Sequence, residues 1–330
     1  MSKIAVSVVV VTKNEEVNIG DCLASLIHQS IADTYEIIVV DAGSSDGTCA
    51  IVKTLPVRLV VDSYGTIGHQ RNTGAQVACG EYVAFTDADC VVDRLWLGTL
   101  LESIRNTDEK IVGVGGPNLV FLNDSPFSKV VGFAQETIFG SGGSFQSKNS
   151  RVDLVDAGSI ANCNAIYKKS AIREIMYDDN IGIGEDADFN YRLINAGYKL
   201  LYTSRAVVWH HRAKTYKDFT KKCFLYGKAM ARLTVKHGKL VRWFSVVPLI
   251  AFLFTLGYIT RIALFGGNAY WSYGYVSLLV LYVCVIGYSS WSVYKKMQSP
   301  LSILTVLVIP TQHIAYGCGF LIGMSARRKA

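Results

Sequence analysis

The run Glu81-Tyr-Val-Ala-Phe85, followed at once by Thr86-Asp87-Ala88-Asp89-Cys90, decides the reading of this chain. Its first part is apolar and β-prone, and its second part holds two carboxylates one residue apart. A strand ending in Asp-x-Asp carries both side chains to the carboxyl edge of a sheet. There, hard oxygen ligands can hold a divalent cation against a diphosphate. Such an edge predicts a donor site for a nucleotide-activated group. The tripeptide alone fits a turn or a helix cap equally well, so its setting has to supply the specificity.

That setting alternates β-rich runs with helical ones. Strands are expected at 4–11, 36–41, 57–61, 81–86 and 111–121, with helices near 15–29, 46–54, 67–78 and 94–105, the pattern of an open parallel α/β sheet. Asp93 suits the cap of the last of these helices and Pro126 the first turn of another. Residues 140–150, rich in Gly, Ser and Asn, read as a loop. Beyond it, a strand is expected within 159–168, a helix over 185–196 ended by Gly197, and short strands at 199–203 and 206–210.

The strand at 36–41 runs into Asp41-Ala-Gly-Ser-Ser-Asp46-Gly-Thr48, a polar turn that opens a helix. A carboxylate at a strand end can accept a hydrogen bond from a nucleobase N–H. The turn Thr12-Lys13-Asn14-Glu15-Glu16 follows the neighbouring strand, and the two together predict a nucleotide cradle. The run is not Gly-x-Gly-x-x-Gly, which argues against a dehydrogenase.

Half of the 330 residues are apolar, and the excess lies at the end. Residues 246–265, 275–294 and 301–324 form three apolar stretches. Each is long enough to cross roughly 30 Å of hydrocarbon as a helix. Trp243, Trp271, Tyr273 and Trp291 flank them as interfacial aromatics do, so a membrane protein with three spans is expected rather than buried core helices. Pro310, Gln312 and His313 interrupt the last stretch and leave open a re-entrant hairpin or two short helices. The apolar run at 4–11 is too short for a signal peptide, so the large domain is expected in the cytoplasm, at a cell membrane crossed several times.

The net charge of +7 is uneven. Between Arg212 and Arg242 there are ten Lys or Arg and one acid, Asp218, and Arg327-Arg328-Lys329 adds three more cations. A basic segment beside a membrane span predicts contact with anionic headgroups, not nucleic acid. In it, Phe219, Cys223, Tyr226, Met230 and Leu233 share one helical side, opposite Lys221, Lys228, Arg232 and Lys239. This pattern fits an amphipathic interfacial helix, or an ordinary surface helix. Eight cysteines show no Cys-x-x-Cys pair and no regular spacing, so neither a zinc site nor a disulfide framework is expected.

Taken in order, six elements carry a resemblance: Ser7-Val-Val-Val-Val-Thr-Lys-Asn-Glu15, Val40-Asp41-Ala-Gly-Ser-Ser-Asp46-Gly-Thr48, Gln70-Arg71-Asn72-x-Gly74, Gly80-Glu81-Tyr82, Asp87-Ala-Asp89, and Gly184-Glu185-Asp186-x-Asp188-Phe189-x-x-Arg192. Over roughly residues 4–212 the chain resembles the inverting GT-A glycosyltransferases of family 2, membrane-attached members that extend lipid-linked or secreted glycans. The resemblance implies an α/β, Rossmann-like nucleotide-diphospho-sugar transferase domain at 1–212. A basic amphipathic helix at 213–243 and a transmembrane region at 244–330 are expected to follow.

It also implies residue roles. Asp41 would meet the base, with Thr12 and Glu15 or Glu16 beside it. Asp89, helped by Asp87, would hold Mg²⁺ or Mn²⁺ on the sugar diphosphate, with His210 as a third metal ligand or a diphosphate contact and His211 the weaker choice. Arg71 would add positive charge to the phosphates or support its turn. Arg192 is grouped with the donor-binding residues, although its spacing also makes an i,i+4 pair with Asp188. Asp186 matches the general base that inversion requires.

The expected partners are a UDP- or GDP-linked sugar donor and a polyprenyl-linked acceptor. The Gln-x-x-Arg-Trp motif of processive synthases is absent at Val241-Arg242-Trp243, which implies transfer of a single sugar. Two alternatives remain: a polyprenyl-phosphate monosaccharide synthase, in which the lipid phosphate attacks, and a membrane nucleotide-binding module without catalysis.

Overall fold

Every residue of Val6-Ser-Val-Val-Val-Val-Thr12 is buried, which only a central strand with both faces covered allows. Of its two polar side chains, Ser7 is satisfied within the fold: its Oγ donates to Glu36 Oε1 at 2.6 Å and accepts from the Gly80 N–H at 2.8 Å. The computed structural model that shows this describes residues 3–141, 152–238, 247–266 and 269–325. Residues 142–150 of the expected loop, Lys239, Arg242, Trp243 and the Arg327-Arg328-Lys329 tail lie outside the described residues.

The chain runs β1 (Val6–Thr12), α1 (Ile19–Ile27), β2 (Tyr35–Asp41), α2 (Thr48–Lys53), β3 (Arg58–Val61), α3 (Ile67–Val77), β4 (Tyr82–Asp87), β5 (Cys90–Val92), α4 (Trp96–Arg105), β6 (Ile111–Gly115) and β7 (Asn118–Val120). Then come α5 (Pro126–Gln135), α6 (Ile138–Ser141), β8 (Val152–Val155), β9 (Ala165–Lys168), α7 (Lys169–Ile175), α8 (Glu185–Asn195), β10 (Lys199–Thr203) and β11 (Val208–His210). The last elements are α9 (Tyr216–His237), α10 (Val247–Phe265), α11 (Ala269–Met297), a 3-10 turn over Pro300–Leu304, and α12 (Thr305–Ser325).

Two compact units result: residues 1–121 with 144–211, and residues 122–143 with 212–330. The expected boundary at 212 is thus crossed by one excursion, in which 122–143 groups with the carboxyl-terminal helices.

In the first unit an eight-stranded sheet has the order β3-β2-β1-β4-β9-β6-β10-β8. Strands β1 to β4 are mutually parallel where they pair, but β9 runs antiparallel between β4 and β6, and β8 is antiparallel at the edge. The sheet is therefore mixed, where the alternating pattern predicts a parallel one. Alternate residues of β1 feed opposite cores, Val6, Val8 and Val10 on one side and Val9 and Val11 on the other.

The expected single strand at 111–121 splits at Gly115-Gly116-Pro117, so β7 leaves for a three-stranded sheet of order β5-β11-β7. The cause is a close approach: a Cβ on Gly116 would come within 2.1 Å of the Ala206 carbonyl oxygen. From β1 the chain steps outward to β2 and β3, then returns to add β4 on the other side of β1. That reversal opens a crevice beyond the carboxyl ends of β1 and β4, where ligands of open α/β sheets bind.

In the second unit, α9 begins at Thr215, whose hydroxyl accepts from the Asp218 N–H, and ends at Gly238 with φ +69°. Phe219, Cys223, Met230 and Leu233 on its apolar side are all buried, while Tyr226 is exposed. Helix α12 packs closely along α9. Small residues make this possible: Ala315, Gly319 and Gly323 recur every four residues on α12, and a Cβ on Gly319 would stand 2.0 Å from the Phe224 carbonyl oxygen. The apolar side of α9 thus meets a neighbouring helix.

Helix α12 continues through Pro310, which rules out a hairpin or a break into two helices there. Residues 273–297 and 300–325 are each long and apolar enough to cross a membrane, whereas the described part of α10 holds a shorter apolar core, Leu253–Leu264. Leu278, Leu281, Val283 and Tyr288 stand exposed along α11, as side chains facing lipid would.

A substitution tests the helix crossing. A Cβ on Gly227 would lie 2.0 Å from the Tyr316 carbonyl oxygen, whereas one on Gly257 of α10 meets nothing within 4 Å. Gly227→Ala is expected to destabilise the detergent-solubilised protein by about 1–3 kcal/mol, as overpacking does. Gly257→Ala should leave the thermal midpoint unchanged or slightly raised.

Candidate active site

Three strand ends meet at the crevice. In register, Thr12 of β1 pairs with Asp41 of β2, and Val11 with Asp87 of β4. The turns after β1 and β2 are laced together. The Asn14 N–H donates to Ser44 Oγ at 2.8 Å, Ser45 N–H to Asn14 Oδ1 at 2.9 Å, and Glu15 N–H to Thr48 Oγ1 at 2.8 Å. Asn14 adopts φ +55° to do so.

Glu16 Oε2 accepts from Gly47 N–H at 2.7 Å, and Glu15 Oε2 accepts from Asn18 Nδ2 at 2.7 Å. Asp41 is wholly buried, and its two oxygens accept from the Ser44 N–H at 2.8 Å and the Ser44 hydroxyl at 2.5 Å. Its carboxylate therefore shapes the turn. Thr12 Oγ1 is buried without a hydrogen-bond partner among the described residues. A hydroxyl left so is costly unless a ligand supplies the bond.

At the end of β4, Asp87 and Asp89 find different partners. Asp89 bonds His210 Nε2 at 3.1 Å. Strand pairing arranges this, because β11 lies antiparallel to β5 with His210 opposite Cys90. His211, the next residue, donates its N–H to the Asp89 carbonyl at 3.1 Å and sets its ring against Phe121 at 4.5 Å. Of the two histidines, His210 is the one whose ring meets the carboxylate. Burial draws the His210 pKa down, but the Asp89 carboxylate and the Cys163 sulfur together outweigh it and push it up to about 10.

Asp87 Oδ1 accepts from Arg71 Nη2 at 2.9 Å. Burial raises the pKa of Asp87 against the opposing pull of that guanidinium.

Arg71 is 2% exposed, and its second amino group bonds Glu185. It also sits 5.9 Å from the Phe85 ring centroid. Expected on sequence to touch phosphates or support its turn, this arginine is held between two carboxylates from β4 and α8. Burial pushes the Glu185 carboxyl up to about 7, with Arg71 opposing.

Helix α8 starts after Gly184, whose φ of +83° suits glycine. Glu185, Asp186 and Asp188 fill its first turn, where the helix dipole favours anions. Asp186 Oδ1 accepts from the Ala187 N–H at 2.7 Å. Arg192 is braced within the fold, Nε on Asp188 Oδ2 at 2.8 Å and Nη1 on the Ile175 carbonyl at 2.7 Å.

Sequence reasoning missed several residues here. Asn118 Nδ2 lies 3.1 Å from Cys163 Sγ and 3.2 Å from His210 Nδ1. Cys163 and Cys90 are buried against His210. A hydrogen bond with Cys90 lowers the Cys163 thiol pKa to about 6, against burial and with help from His210. No spacing signal could have found this trio, since its members lie 73 and 47 residues apart in the chain. For a hard divalent cation the donor chemistry fits: Asp89 and His210 already stand together, and Asp87 adds carboxylate oxygen two residues earlier.

The chain resembles known proteins along much of its length. The chain is 26% identical over 236 residues to glycosyltransferase AglE of Haloferax volcanii, covering 69% of this chain and 73% of that one. It is 23% identical over 334 positions, 97% of each chain, to a Methanococcus voltae dolichyl N-acetyl-alpha-D-glucosaminyl phosphate 3-beta-D-2,3-diacetamido-2,3-dideoxy-beta-D-glucuronosyltransferase. Among solved structures, the Pyrobaculum calidifontis mannosyltransferase PcManGT, in complex with GDP-Man and Mn²⁺, shares the fold with a TM-score of 0.65. That match has 18% identity and covers 96% of this chain and 86% of the other. The sequence model described as Glycosyl transferase family 2 matches residues 7–176, just over half of the chain. With that match laid over the GT-A sheet and its aspartate-edged crevice, the chain belongs to glycosyl transferase family 2 and is a glycosyltransferase.

Proposed function

We propose that this enzyme transfers one sugar, with inversion, from a nucleotide-sugar donor to a polyprenyl-linked glycan at a membrane, in a reaction dependent on Mg²⁺ or Mn²⁺. The observation that carries the reading is the buried bridge Asp87–Arg71–Glu185. It ties the strand end bearing Asp87-Ala-Asp89 to the start of the helix bearing Asp186, so the phosphate side and the acceptor side of one reaction are held by a single cation.

In this reading the laced turns at 12–16 and 41–48 receive the nucleoside. Asp41 shapes the turn, Thr12 offers its unpartnered hydroxyl, and Glu15 and Glu16 lock the two loops. Asp89, with Asp87 and His210, would hold the metal, which when bound neutralises charge on the departing diphosphate. Asp186 accepts the proton of the acceptor hydroxyl as the new glycosidic bond forms on the face opposite the leaving group. Glu185, turned inward to Arg71, leaves Asp186 as the acid facing the acceptor. Arg192, bound to Asp188 and the Ile175 carbonyl, acts on the donor only by bracing α8.

The acceptor class rests on the Methanococcus voltae relative, which aligns along nearly its whole length and whose name specifies a dolichyl-linked acceptor. The two apolar helices support membrane attachment, and Lys295-Lys296 at the end of α11 favours a cytoplasmic placement of that end.

Three measurements test the reading. Asp89→Ala, or chelation of divalent metal in the unmodified enzyme, should abolish transfer; full activity in chelator overturns the metal dependence. Asp186→Asn should lower transfer by roughly 10²-fold or more while donor affinity stays within a few-fold of normal. Normal transfer by that variant would instead favour attack by a lipid phosphate, which needs no base. Arg71→Met strands the buried Glu185 carboxylate and leaves the half-buried Asp87 unpaired, and should cost about 3 kcal/mol of stability in thermal unfolding. Adding Glu185→Gln to it should restore part of that loss.

A further inference from the structure

Beside Asp89 the fold gathers two thiols that a hard cation does not use, next to the His210 ring. Cys90 opens β5, Cys163 precedes β9, and His210 ends β11. One donor atom from each lies within 4.8 Å of the other two. Both thiols are buried, at 1% and 4% exposure. The Cys90 sulfur stands 3.9 Å from Asp89 Oδ1, so a carboxylate oxygen borders the same space. Two sulfurs, an imidazole nitrogen and an oxygen make a tetrahedral set for zinc. Zinc–sulfur bonds of about 2.3 Å put two such sulfurs roughly 3.8 Å apart, within side-chain adjustment of the spacing seen.

We propose that Cys90, Cys163 and His210 form a second cation site, selective for thiophilic metals such as Zn²⁺ or Cd²⁺, whose occupancy antagonises the hard cation at Asp89. Sulfur ligands prefer soft and borderline ions, whereas Mg²⁺ and Mn²⁺ prefer oxygen. On loading, the protons still held by the two thiols and the extra proton of the His210 ring leave to solvent, so that two thiolates and a neutral imidazole face the cation. His210 is common to both sites and Asp89 borders both, so two dications there repel and compete for ligands. Linkage makes the antagonism mutual.

The antagonism rests on the proposed role of Asp89; the cysteine site does not, and the experiment separates them. The reduced full-length protein in detergent is titrated with Cd²⁺, without substrates, and the ultraviolet thiolate-to-cadmium charge-transfer band is followed. One equivalent should saturate the band in the unmodified protein and in Cys79→Ser, whose thiol is exposed and outside the cluster. The band should fall by half or more in Cys90→Ser or Cys163→Ser and to background in the double variant. A full band in the double variant, or none in the unmodified protein, overturns the site. Should the serine variants fail to fold, the ¹¹³Cd resonance of the unmodified protein decides, since an all-oxygen shift overturns the site and a two-sulfur shift supports it. Excess Mn²⁺ should then weaken apparent Cd²⁺ affinity several-fold. Unchanged affinity overturns the antagonism and leaves the cysteine site standing.

Discussion

The site depends on one buried cation. Arg71 cannot leave the interior, because its guanidinium lies between the Asp87 and Glu185 carboxylates and against the Phe85 ring. Nor can Glu185 do without it, since a buried charge that loses its partner carries the full cost of desolvation, and the half-buried Asp87 would lose its charged donor with it. One interaction therefore fixes the distance between the end of β4 and the start of α8. It also sets Glu185 apart from Asp186. Neighbours at a helix start point in different directions, and once Glu185 faces Arg71, Asp186 faces elsewhere.

The sheet and several of its helices were legible because their apolar pattern is strong: β1 to β4 and α1 and α4 fall where alternation and helical spacing put them, whereas α3 buries mostly Gly, Gln, Arg and Asn. What was not legible is strand direction. β9 reads as an ordinary short strand, and only the loops before and after it make it return antiparallel between β4 and β6. The break at Gly115-Gly116 was hidden for a related reason. The close approach that requires glycine there is to Ala206, 90 residues away. In the site, Asp87 and Asp89 announce themselves by spacing. The partners that define them, Arg71 for one and His210 for the other, are brought by α3 and β11, and only pairing register shows which of two adjacent histidines faces inward.

Helix α9 shows how an apolar stripe can be read too narrowly. Phe219, Cys223, Met230 and Leu233 recur at helical spacing, which predicts burial without saying in what. Lipid and a neighbouring helix satisfy the same pattern. The discriminating signal lay on the other partner, in Ala315, Gly319 and Gly323, since small residues every four positions let two backbones approach. Against lipid alone, glycine in that register would only weaken the helix.

The cysteines carry the same lesson into the active site. Read along the chain they have no spacing, and absence of Cys-x-x-Cys argues against a metal framework built from neighbours in sequence. A fold can still assemble ligands from three separate elements, and here β5, the segment before β9, and β11 converge because the small sheet pairs β11 with β5. The Asp89 carboxylate thus stands beside the Cys90 thiol and bonds the His210 imidazole, which in turn lies beside both thiols. Oxygen and sulfur donors set side by side in this way differ in the ions they suit, because hard cations prefer the carboxylate and thiophilic ones the thiols.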